Sequence, residues 1–170
     1  MRAIALSTLV ALLLPGCDAS YHLDCDGMCD LTARCSGDWG EVGRCLDWCG
    51  RLDDLLREET RRDLDDCLDV GCEAYPGCAT QAWQSCGGDV ARIRDHACGI
   101  AAACGAMTLE ECRGTVLDDE RDDVARLRCV DDGTVADINR CVDEATCESL
   151  PGTFETCLEA VLDDLNPQNP

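Results

Sequence analysis

Seventeen cysteines in 170 residues, set at spacings that repeat, constrain this chain more than any other feature. Cys29, Cys35, Cys72 and Cys78 recur at a constant offset of 69 as Cys98, Cys104, Cys141 and Cys147; Cys45 and Cys86 recur at 67 and 71 as Cys112 and Cys157. Self-similarity at nearly one offset marks an internal duplication, here residues 25–95 and 96–165. Apart from its cysteines the chain has little with which to fold. Leu, Ile, Val and Phe make up 28 of the 154 residues from Cys17 onward, and the net charge is −21, a pairing that by itself predicts disorder. A cysteine content of about a tenth changes the expectation to a disulfide scaffold. Each bridge stabilises by roughly 2–4 kcal/mol in the chain-entropy model, so cross-links stand in for the missing core.

Within each half the motif C-x5-C followed by a further cysteine occurs twice: Cys29-Cys35-Cys45, Cys72-Cys78-Cys86, Cys98-Cys104-Cys112 and Cys141-Cys147-Cys157. Turn residues follow the second cysteine, and helix-start signals follow the turn. Asp38…Glu41 and Thr108…Glu111 have the spacing of a capping box, Asp131-Asp132-Gly133-Thr134 reads as a turn into a helix, and Asn166 to Pro170 read as a disordered tail. The expected fold is all-α and disulfide-rich: four helical hairpins in two homologous halves.

Register follows from arithmetic. Cys25/Cys29 and Cys45/Cys49 are i,i+4 pairs, each on one helical face. Facing residues of an antiparallel hairpin have a constant index sum, and 25/49 and 29/45 share the sum 74, centred on Gly37. Helix axes 8–10 Å apart bring such Cα atoms to roughly 4–6 Å, within disulfide reach. This predicts the rungs Cys25–Cys49 and Cys29–Cys45. In the second half the inner rung becomes Cys98–Cys112, centred on Gly105, while the outer positions are Arg94 and Val116, both partners being absent together. The same reasoning closes the remaining hairpins with Cys72–Cys86 and Cys141–Cys157. Cys35–Cys78 and Cys104–Cys147 are then expected to tie hairpins within each half. The halves hold nine and seven cysteines from Cys25 onward, both odd, so full oxidation demands a bridge between them, for which Cys67–Cys129 remains. Residues 25–49 resemble the plant α-hairpinins, whose two C-x3-C helices pair in this way.

At the N-terminus, Met1-Arg2 precedes an uncharged run from Ala3 to Leu14, which leads to Pro15-Gly16-Cys17. The run is too short to span a bilayer, which takes about 20 residues, and has the layout of an export signal. Leu14, Gly16 and Cys17 resemble the bacterial lipoprotein signal, with Pro15 a departure from its usual pattern. That resemblance implies a signal peptide over 1–16, acyl chains (palmitate among them) on Cys17 as the mature N-terminus, a tether over 17–24, and a lipid-anchored position in the cell envelope, on the periplasmic or surface side. Removing Cys17 as lipid carrier leaves sixteen cysteines, an even number able to pair completely. The whole chain resembles the uncharacterised cysteine-rich lipoproteins of high-GC Gram-negative bacteria.

Chemistry is sparsely signalled. His22 and His96 lie in no catalytic motif, and no C-x-x-C, the spacing that thiol–disulfide exchange and zinc knuckles use, occurs. No catalytic, cofactor or metal residue is assigned. All fourteen basic residues are Arg against 35 acids, which disfavours nucleic acid as a partner. Acidic pairs such as Asp53-Asp54, Asp65-Asp66 and Asp122-Asp123 suggest calcium as an alternative, although only Asp24-Cys25-Asp26-Gly27 echoes a calcium loop. The leading expectation is a non-enzymatic binding or structural module that meets the membrane through its lipid and an envelope or extracellular protein through its body. Weak calcium binding and an enzyme with an unrecognised site are the alternatives.

Overall fold

The computed structural model describes residues 20–116 and 122–166, the side chains of 122–124 excepted. The expected signal peptide over 1–16, Cys17, and residues 167–170 of the expected tail over 166–170 lie outside the described residues. The described chain forms nine α-helices: α1 Cys25–Ser36, α2 Val42–Leu55, α3 Glu58–Asp66, α4 Tyr75–Ser85, α5 Ala91–Ala103, α6 Leu109–Arg113, α7 Asp122–Leu127, α8 Asp132–Asp143 and α9 Leu150–Asp164. A 3₁₀ turn over Cys67–Asp69 extends α3. There is no strand among the described residues, so the fold is all-α and disulfide-rich, as the spacing predicts.

Four antiparallel hairpins form, α1/α2, α3/α4, α5/α6 and α8/α9. Local chemistry sets their ends. Asp24 caps α1 by accepting from the Gly27 amide at 2.9 Å, which gives the supposed calcium-loop fragment an ordinary capping role. Gly37 and Gly105 close the first hairpin of each half in left-handed conformation (φ 76° and 69°), a region glycine enters without steric cost. Thr108 and Glu111 form a reciprocal capping box. Asp38 and Glu41 do not: Asp38 Oδ1 accepts from the nearby Gly40 amide and α2 begins without a side-chain cap. α6 is short: it ends at Arg113, and the Gly114, Thr115 and Val116 amides take up the carbonyls of Glu110 and Cys112.

Five of the expected bridges are present: Cys25–Cys49, Cys29–Cys45, Cys98–Cys112, Cys104–Cys147 and Cys141–Cys157. Three are not. Cys35 joins Cys72, Cys67 joins Cys78 and Cys86 joins Cys129, in place of Cys35–Cys78, Cys72–Cys86 and Cys67–Cys129. The reason is α4. Pro76 sits in its first turn, where a missing amide costs nothing, so the helix runs unbroken to Ser85. At 1.5 Å per residue it holds its start and Cys86 roughly 16 Å apart, too far for Cys72–Cys86. The second hairpin instead turns through Gly71 (φ 79°) and pairs α3 with α4, which places Cys67 opposite Cys78 and releases Cys72 to Cys35.

The two halves share one core. Leu52, Leu56, Ile93, Leu127, Ile138, Val142 and Leu165 are fully buried, and so are Cys29, Cys49, Cys98 and Cys129: bridges fill volume that branched aliphatics would otherwise occupy. Leu56 and Val130 pair as an isolated antiparallel bridge, with Arg57 N–H donating to Cys129 O and Asp131 N–H to Leu55 O, both at 2.9 Å. Around it α2 packs on α9 and α4 on α7. The Trp48 indole donates to the Asp164 carbonyl at 2.8 Å, satisfying an orphan acceptor at the end of α9.

Candidate functional site

Within the segment 17–24 read as a tether, Tyr21 to Asp24 are bound to α2 and α3. Leu23 is buried in the core, and its amide donates to Asp53 Oδ1 at 2.8 Å, while His22 Nδ1 lies 2.7 Å from Asp53 Oδ2. Arg61 donates to the Tyr21 carbonyl at 2.8 Å, the Tyr21 hydroxyl donates to Asp65 at 2.6 Å, and the Asp24 amide donates to the same carboxylate. Burial pushes the Asp53 carboxyl upward, but the Leu23 amide, His22 and Arg61 outweigh it and hold it below the usual carboxylate value. Tyr21 is pushed up to about 12, chiefly because its proton is held by Asp65. Asp53 and Asp65, two of the acids offered as calcium ligands, are thus engaged in holding this segment.

Elsewhere, His96 Nε2 meets Asp143 on an exposed face at 2.8 Å, an ion-pair geometry between α5 and α8. The sixteen cysteines from Cys25 to Cys157 are all in bridges. Among the described residues no group of three or more metal-ligating side chains converges, and no described helix is long and apolar enough to cross a membrane.

The concavity best suited to a ligand is a cleft between α1, α2 and α4. One lobe, of about 500 Å³, is walled by Met28, Trp48, Leu52, Tyr75 and Trp83, with Arg126 the one charged residue among those lining it. A second, of about 400 Å³, shares Met28, Trp48 and Tyr75 with the first and ends at Asp38 and Glu41. The two lobes adjoin at these three shared residues. Both volumes fall in the range of ligand pockets, and so does the chemistry, an apolar lining with a few polar groups. Three of the chain's six aromatic residues stand here. Burial raises the Tyr75 phenol above its ordinary value. Reading the sequence for chemistry misses this groove, although its signals exist: Tyr75, Ala79 and Trp83 recur every four residues on α4, and Trp48 and Leu52 do so on α2.

Comparison with known proteins returns no match: neither a family model, nor a curated protein, nor a solved structure resembles this chain.

Proposed function

We propose that the chain is an envelope-anchored lipoprotein, held by acyl chains on Cys17, whose disulfide-locked helical body acts as a non-enzymatic binding module. The observation that carries this reading is cysteine parity. Sixteen cysteines close eight bridges and leave Cys17 as the odd thiol, at the position where the lipoprotein signal places the lipid. Eight bridges are compatible with an extracytoplasmic location. The bound segment adds to this: only Asp18, Ala19 and Ser20 separate Cys17 from Tyr21. At about 3.5 Å per residue the anchor lies at most about 14 Å from the rigid body. The module therefore works at the bilayer surface on a short leash.

The test is expression of the full chain in a bacterial host, with intact mass, fractionation and a free-thiol count on the product. The wild type should carry diacylglycerol and an N-terminal acyl chain on Cys17, sediment with membranes and show no free thiol. Cys17→Ser should retain its signal peptide and lack lipid. A soluble processed protein with Cys17 free or bridged would overturn the reading.

A further inference from the structure

We propose that the groove between α1, α2 and α4 binds an extended apolar segment of a basic partner protein, with a lysine or arginine of that segment seated at the Asp38 end. This deepens the binding-module reading and needs the module, but not the lipid, to hold.

The middle of the groove selects apolar side chains. Trp48 and Met28 are buried walls, while Tyr75 and Trp83, which also line the first lobe, stay half-buried. Aromatic faces offer large contact area at low entropic cost, and a methionine adapts to whatever shape is presented. The Tyr75 hydroxyl and the Trp83 indole N–H make no hydrogen bond to another described side chain or backbone group. They are therefore free to bond the main chain of an extended ligand. The walls are also set in advance. Cys25–Cys49 and Cys29–Cys45 lock α1 to α2, and Cys67–Cys78 and Cys86–Cys129 hold α4 from both ends. A site fixed by covalent bonds loses little conformational freedom on binding.

The ends of the groove differ in charge, which decides the kind of segment and its placement. Arg126 lines the first lobe, Asp38 and Glu41 the second. Glu41 is engaged by Arg44. Asp38 faces no cation among the described residues: its Oδ1 accepts from the Gly40 amide within its own turn. The Asp38 carboxylate at this end suits a cation by charge, whereas Arg126 turns a cation away from the opposite lobe. The net charge of −21 acts at longer range in the same direction, raising the encounter rate with basic partners.

The exported, oxidised protein held in nanodiscs of neutral phosphatidylcholine is titrated into two fluorescent peptides, Lys-Leu-Phe-Leu and Glu-Leu-Phe-Leu, blocked at the N-terminus and labelled at the C-terminus. The lysine peptide should bind about tenfold tighter. Asp38→Asn lies on an exposed turn and leaves the core intact; it should weaken the lysine peptide about threefold or more and leave the glutamate peptide unchanged. Trp83→Ala should weaken both peptides with the disulfide map preserved. Equal affinities, no binding at about 1 mM, or competition by palmitate with neither peptide retained would overturn the proposal, the last outcome marking an acyl-chain site instead. Peptide binding by a protein whose Cys17 is not acylated removes the anchor alone; an acylated protein that binds neither peptide removes this inference alone.

Discussion

Cys86–Cys129 is the one bridge that joins the halves, and its contribution can be worked from connectivity. It spans 43 residues of sequence, but Cys98–Cys112 short-circuits that loop, so the shortest covalent path that the bridge closes is roughly 30 residues. On the chain-entropy model such a loop stabilises by about 3.6 kcal/mol, against about 2.7 for the 11-residue Cys67–Cys78 loop. The two bridges are matched in burial, each having one fully buried sulfur (Cys129, Cys67) and one half-buried (Cys86, Cys78). The packing lost on truncation therefore nearly cancels between them. Comparing the oxidised double variants Cys86→Ala/Cys129→Ala and Cys67→Ala/Cys78→Ala by guanidinium unfolding should show the first less stable by about 0.9 kcal/mol, with equal m-values. Unfolding of the first variant should remain a single transition, because the Leu56–Val130 pairing and the packing of α2 on α9 still couple the halves. Equal or reversed costs would refute the entropic reasoning; a split transition would show that the bridge alone holds the halves together.

Three further outcomes follow from single positions. A Cβ at Gly88 would lie 2.1 Å from the Arg128 carbonyl oxygen, so Gly88→Ala should cost about 1–3 kcal/mol in a melt, whereas Gly87→Ala, with open space around it, should cost far less. Asp53→Asn should loosen the bound N-terminal segment, read as faster hydrogen exchange at Leu23. Because the folded Asp53 carboxyl lies below its unfolded value of about 3.9, its stabilisation is present above that pH and is lost as pH falls through the folded value. The variant's deficit should therefore be full at pH 7 and disappear in acid. Gly37→Ala should destabilise the first hairpin by about 1 kcal/mol through its positive φ, although nothing crowds the site.

What was legible in the chain was what is local. A rung such as Cys29–Cys45 depends on two helical faces and one turn, and index arithmetic finds it because helix period and turn centre lie within a few residues of each other. Cys67–Cys78, centred between Cys72 and Glu73, yields to the same arithmetic once Pro76 is read as a helix start. Cys86–Cys129 is different. Parity demands a bond between the halves, but its identity depends on how α4 docks against α7, a tertiary fact that no spacing encodes. The groove was hidden for a related reason: its wall residues sit at ordinary core spacings on several separate helices, and whether such a stripe is covered or left open is decided only by packing. The docking of Tyr21 to Asp24 likewise joins residues 30 to 44 positions apart through polar groups of no periodicity.

The asymmetry of the bridges follows from how the two halves meet. Leu56 leads into α3 in the first half and Val130 into α8 in the second, and the two residues pair antiparallel. Around that pair, α2 of the first half packs on α9 of the second while α4 of the first packs on α7 of the second. Reciprocal contacts of this kind are the logic of an isologous interface, here folded into one chain. A covalent bond across such an interface breaks the equivalence, since it takes one cysteine from each half and leaves the remainder to pair alone. The first half gives Cys86 and closes four internal bridges; the second gives Cys129 and closes three. Cys86 therefore departs from Cys157, its counterpart by offset, which stays in the rung with Cys141. The first hairpins, remote from the crossing bond, keep the shared inner rung, and the second hairpins diverge.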